Sequence, residues 1–114
     1  MNVRDVLAAL QAEAKSGSEK LDNAVTGAYC SDLLSDVMAN AKKGDLWITL
    51  QTHQNIVAVA SLAELAGIVI TRGAQPDPDT IAKAEKENIP VLTSPLPSFE
   101  AAGKLYCLLG LDKK

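Results

Sequence analysis

Leu46-Trp47-Ile48-Thr49, Gly67-Ile68-Val69-Ile70-Thr71 and Ile89-Pro90-Val91-Leu92-Thr93 are three short aliphatic runs, each ending in an aliphatic residue followed by threonine. The threonines fall at positions 49, 71 and 93, so the runs repeat at a constant interval. Between them lie stretches with helical rhythm: Asn55 to Leu65 after the first run, Pro78 to Glu87 after the second. Short apolar runs alternating with helices are the pattern of parallel strands joined by crossover helices. The interval is short for such a unit, which requires tight connections. Right-handed crossovers would carry all three threonines to one edge of the sheet.

Working outward, the helix after the first run is apolar nearly all round, with Ile56, Val57, Val59, Ala60, Leu62 and Leu65, and is expected to be buried on more than one side, against a second subunit if need be. The helix after the second run opens Asp77-Pro78, a capping residue followed by the proline tolerated at the first helical position. Its Lys83, Glu85, Lys86 and Glu87 mark a solvated face. Upstream, Leu33, Leu34, Val37, Met38 and Ala41 stripe a helix expected over 31–43, capped by Ser31 or Asp32 and closed by Gly44. Residues 22–29 read as a short strand or an extended loop. Asn2 to Ala14 repeats apolar residues at three- and four-residue intervals, predicting one helix that Gly17 ends. At the other end, Ser94 to Leu109 carries Phe99, Ala102, Leu105, Tyr106 and Leu109 at helical spacing, and Gly110 stops it. The reading is a single domain over 1–114, with a helix and turn over 1–19 and the body of the fold over 20–109.

The totals limit the function. Hydrophobic residues make up 47% of the 114 and aromatics 4%, so a core must be built from small aliphatic side chains. A net charge of -3 with scattered lysines and arginines speaks against nucleic-acid binding. No stretch approaches the roughly 20 apolar residues of a membrane span, and Arg4 and Asp5 stand where a signal peptide carries its apolar core. The expectation is a cytoplasmic protein with no membrane contact. Cys30 and Cys107 lie too far apart for a local metal motif and are expected to be reduced, packed thiols. Asp32 and Asp36 read as solvated helix residues, and Trp47 as core. No metal and no cofactor are expected. Neither a nucleophile elbow, a phosphate-binding glycine loop nor a dinucleotide fingerprint is present, which argues against an enzyme.

Ligands of open parallel sheets sit outside the carboxyl ends of the strands. That rule selects Thr49, Gln51, His53 and Asn55 after the first run, Thr71, Arg72 and Gly73 after the second, and Thr93 after the third. One fixed cation among hydrogen-bonding groups suits a small anionic or nucleotide-like ligand. The same residues could equally be helix caps. His53, the only histidine, could also accept a phosphoryl group, as could the Cys30 thiol.

The runs 29–37 (YCSDLLSDV), 46–49 (LWIT), 68–73 (IVITRG) and 89–94 (IPVLTS), in that order and spacing, resemble the DRTGG domain. Modules of that family occur in CBS-domain pyrophosphatases and in phosphotransacetylases, and they resemble the N-terminal domain of HPr kinase/phosphorylase. The resemblance covers residues 20–109 and implies a three-layer α/β sandwich with a mainly parallel sheet, HPr kinase N-terminal-domain-like. It also implies a non-catalytic regulatory role, often with dimer contacts. The signature itself is altered: Gln51-Thr52-His53-Gln54-Asn55 stands at its Asp-Arg position, and Thr71-Arg72-Gly73 replaces Thr-Gly-Gly. The combined expectation is a regulatory or ligand-binding homodimer. The alternatives are an adaptor or assembly subunit of a partner enzyme, without small ligand, and a phosphocarrier using His53.

Overall fold

Each of the three threonine-ended runs is a strand in the computed structural model, which describes residues 1–113. They are β3 (Asp45–Thr49), β4 (Gly67–Ile70) and β5 (Val91–Thr93), and β3 pairs with β4, and β4 with β5, in parallel. Two more strands complete the sheet. β2 (Gly27–Cys30) lies parallel to β3, and β1 (Glu13–Ser16) lies antiparallel to β5, giving the order β1-β5-β4-β3-β2 among the described residues.

The central strands are buried along their whole length, and successive side chains feed opposite faces. Leu46, Ile48, Val69 and Leu92 pack with Val3 and Val6 of α1 (Val3–Ala9) and with Ala101 and Leu105 of α5 (Ser98–Leu108). Trp47, Ile68, Ile70 and Val91 pack on the other side, with Val37 of α2 (Leu34–Asn40), four residues of α3 (Asn55–Leu62) and Ala84 of α4 (Pro78–Glu87). The result is the three-layer sandwich expected from the sequence. Trp47 is fully buried and its indole N–H donates to the Ser31 carbonyl at 2.8 Å, so a large ring enters the core without an unpaired donor.

α3 packs between α2 and α4 on the sheet, which accounts for its all-round apolarity within one chain. Leu62, 73% exposed, is the large apolar side chain it leaves to solvent. α4 has the expected bounds, with Pro78 in its first turn and Asn88 in the left-handed conformation at its C-cap.

Three expectations are corrected. The helix predicted through Ala14 ends at Leu10, because Gln11 turns left-handed (φ 53°) and the chain leaves as β1. Glu13 and Ala14 alternate too briefly for a strand of this length to be told from a helix end, and only the pairing with β5 separates them. The helix expected over 31–43 is α2, Leu34–Asn40; Leu33 holds its N-cap and neither Ser31 nor Asp32 caps it. Gly44, at φ 86°, serves the entry to β3 and not the helix end, which Ala41 closes in extended conformation. Finally, Cys30 and Cys107 are free thiols but both are exposed, not packed.

Candidate functional site

The carboxyl ends of β3, β4 and β5 do share one edge, but the constant interval conceals a change of register. Thr49 sits opposite Ile70, and Ile70 opposite Thr93, so Thr71 lies one position further along. Neighbours in a parallel ladder point to the same face and consecutive residues to opposite faces. Thr49 and Thr93 therefore turn toward the layer of α2, α3 and α4, and Thr71 toward α5. Its hydroxyl lies 2.6 Å from that of Ser98 and donates to the Thr49 carbonyl at 3.4 Å. Thr71 is fully buried and joins strand to helix.

At the end of β3 the organiser is Asp32, exposed as the sequence reading had it but in the β2–α2 loop and not in a helix. One carboxylate oxygen accepts the Thr49 hydroxyl at 2.8 Å and the Leu50 amide at 2.7 Å. Gln51 donates its side-chain amide to the Asp32 carbonyl at 2.8 Å. Thr49 and Gln51 are thus occupied in closing the β3 end onto the β2–α2 loop. His53 and Asn55 are exposed at the start of α3, and the His53 Nδ1 accepts the Asn55 amide at 3.2 Å. Thr52 ties this loop to α4: its carbonyl accepts the Thr80 hydroxyl at 2.7 Å and the Asp77 amide at 3.1 Å.

Between β4 and β5 the backbone diverges. β4 leads to α4 on one face and β5 to α5 on the other, the arrangement that opens a crevice in an α/β sheet. A recess of about 230 Å³ lies there, lined by Gly73, Gln75, Thr93, Ser94 and Pro95, with Gln11 and Glu13 from the α1–β1 side. Gly73 of this lining and Arg72 before it are both left-handed, φ 70° and 61°, a costly conformation for arginine. Their amides are held by the Leu96 and Ser94 carbonyls at 2.8 and 2.9 Å. The guanidinium of Arg72 is exposed and, among the described residues, has no ion-pair partner. Of the eight residues read from the sequence, the recess gathers Gly73 and Thr93, with Arg72 beside them. Glu13, Gln11 and Gln75 were missed; Gln11 and Glu13 had been assigned to a helix.

A second polar cluster lies at the β2 edge. The Tyr29 hydroxyl donates to Asp36 at 2.8 Å and the Asn40 amide to the same oxygen at 2.9 Å. The Ser31 hydroxyl, with Tyr29 and Asn40, holds the Asp36 carboxyl below its ordinary value, and Asp36 in turn pushes the Tyr29 phenol up. Although Cys30 is exposed as a residue, partial desolvation of its sulfur, with the nearby Asp32 charge, pushes the thiol up, which favours its protonated form. Among the described residues no group of histidine, cysteine and carboxylate side chains could hold a metal ion, and no helix is long and apolar enough to cross a membrane.

Residues 5–107 match the family model of the DRTGG domain. No curated protein matches the chain. Among solved structures, the CBS and DRTGG domains of the regulatory region of Clostridium perfringens pyrophosphatase, complexed with the activator diadenosine tetraphosphate, share the fold with a TM-score of 0.74 at 23% identity. The match covers 91% of this chain and 45% of that one, so the chain spans less than half the length of the protein it resembles.

Proposed function

Because the chain belongs to the DRTGG domain family, we propose that it is a non-catalytic regulatory module which binds a small anionic or nucleotide-like ligand at the carboxyl edge of its sheet and acts as a homodimer. The observation that carries the ligand reading is the crevice where the backbone parts after β4 and β5, lined by Gly73, with the exposed Arg72 next to that glycine in the chain. The nucleotide activator in the pyrophosphatase regulatory region supports the ligand class. At about 230 Å³ the recess falls below the usual range for drug-sized ligands. It suits one edge of a base, and the rest of a nucleotide would lie outside it along the strand ends. Glu13 inside the recess disfavours a phosphate at its floor, which leaves the phosphates to Arg72.

Binding to the folded state raises the melting temperature by mass action. A panel of AMP, ATP and diadenosine tetraphosphate is expected to include one ligand that raises it, with the rise lost in Arg72→Ala, whose own melting temperature is unchanged. No rise with any of the three at millimolar concentration would remove this ligand class. The adaptor reading, in which a partner enzyme and no small ligand engages the chain, is favoured by one feature, the exposure of Phe99, Tyr106 and Leu108 on α5. The phosphocarrier reading would have to use His53 Nε2, because Nδ1 accepts the Asn55 backbone amide.

A further inference from the structure

We infer that the recess beside Gly73 is a base subsite, in which the Thr93 hydroxyl and the Glu13 carboxylate read the amino edge of an adenine. This rests on the nucleotide reading above and names the part of the ligand that enters. Six buried residues carry a hydroxyl: Ser16, Thr49, Thr71, Thr80, Thr93 and Ser94. Five of these hydroxyls are engaged within the fold. Ser16, Thr80 and Ser94 donate to backbone carbonyls, Thr49 donates to Asp32, and Thr71 pairs with Ser98. Thr93 is the exception: the residue is 6% exposed, and its hydroxyl has no hydrogen-bond partner among the described residues. Among those residues no fully enclosed side-chain polar atom is left unpaired, so the Thr93 hydroxyl reaches open space, and the space that Thr93 lines is the recess. A fold that pairs its other buried hydroxyls and leaves one aimed into a crevice holds that one for a ligand.

Glu13 supplies the other half of the pattern. It stands directly opposite Thr93 in the antiparallel β1–β5 ladder, where two side chains share a face with Cβ atoms about 4.5–5.5 Å apart. The Lys15 ammonium holds Glu13 Oε2 at 3.0 Å, and Oε1 has no partner among the described residues. No lysine or arginine lines the recess, so an anionic group finds no counter-charge inside it. A carboxylate oxygen only accepts, and the hydroxyl beside it can donate. Their complement is a donor next to an acceptor, which the N6 amino group of adenine and its neighbouring ring nitrogen present. A 6-oxopurine instead turns a carbonyl toward the carboxylate, and two acceptors that face each other stay unpaired. The two parallel N–H donors of guanine would call on both carboxylate oxygens, one of which Lys15 holds.

Calorimetric titration of the full chain with AMP and with IMP, which differ at the 6-amino edge, is expected to show AMP bound at least about tenfold more tightly, as for one hydrogen bond to a charged group. Glu13→Gln, at a side chain 75% exposed, should abolish that preference, because a carboxamide can donate to the 6-oxo group as well as accept. Thr93→Val should weaken AMP about fivefold. It should leave the melting temperature of the free chain unchanged or raised, since no protein partner loses a bond, whereas Thr49→Val should lower it. Equal affinity for AMP and IMP, or a Thr93→Val chain that binds AMP like the wild type, would overturn the subsite while the Arg72-dependent binding stands. A lowered melting temperature in Thr93→Val would overturn it too, by giving the hydroxyl a structural use. No binding of either nucleotide at millimolar concentration would overturn the subsite and the nucleotide reading together.

Discussion

Ser16 shows how much one hydroxyl can fix. Its Oγ donates to the Ile89 carbonyl at 2.8 Å and accepts the Val91 amide at 3.0 Å, all of it buried. It does so where the β1–β5 register shifts between Ala14 and Ser16, replacing ladder bonds that the irregularity removes. Ser16→Ala leaves a buried donor and acceptor unpaired, which costs about 1–3 kcal/mol. The expected result is a lower urea midpoint with an unchanged slope. Ser94 works similarly at the other end of β5, donating to the Leu10 carbonyl at 2.6 Å and accepting the Leu96 amide at 3.2 Å. Neither serine stands out in the sequence, because their partners lie 73 and 84 positions away. Thr49, Thr71 and Thr93 did stand out, through their spacing. Yet two of them are committed to structure, and only Thr93 lines the recess.

Among the connecting elements, two glycines with the same backbone conformation answer to different constraints. Gly17, between β1 and the short turn at Ser18–Lys20, has φ 69°, and a Cβ there would fall 2.5 Å from the Pro90 nitrogen. Gly73, after β4, has φ 70° with nothing within 4 Å. Gly17→Ala is expected to cost about 2–4 kcal/mol, the left-handed penalty plus forced displacement of Pro90. Gly73→Ala should cost only the conformational part, about 1 kcal/mol. Thermal or urea unfolding of the pair measures the difference, and equal losses would mean that the β1 turn can move away from Pro90. The helices were legible where local chemistry decides them: the bounds of α4 follow from Asp77-Pro78 at one end and Asn88 at the other. β1 was not legible, since a four-residue edge strand has no local signal strong enough to compete with the helix before it.

For the molecule as a whole, the sheet order places β5, β4 and β3 inside, each covered on both faces by the two core clusters, and leaves β1 and β2 as edges. Amide hydrogen exchange is expected to be slowest in β3 and β4 and much faster at the free edge of β1, following the distribution of buried contacts. Equal protection in β1 would mean that something pairs with that edge in solution. The order also explains the candidate site: the crevice exists because the chain crosses to the opposite face after β5. By itself the sequence determined the alternation of strands and helices, the parallel core, and the edge at which polar residues collect, because these follow from periodicity and capping over neighbouring residues. The tertiary structure alone decided the register that turns Thr71 away from Thr49 and Thr93, the return of β1 beside β5 that brings Glu13 to the recess, and which apolar helix face remains uncovered. Each of these depends on contacts between residues far apart in the chain, for which a local pattern carries no information.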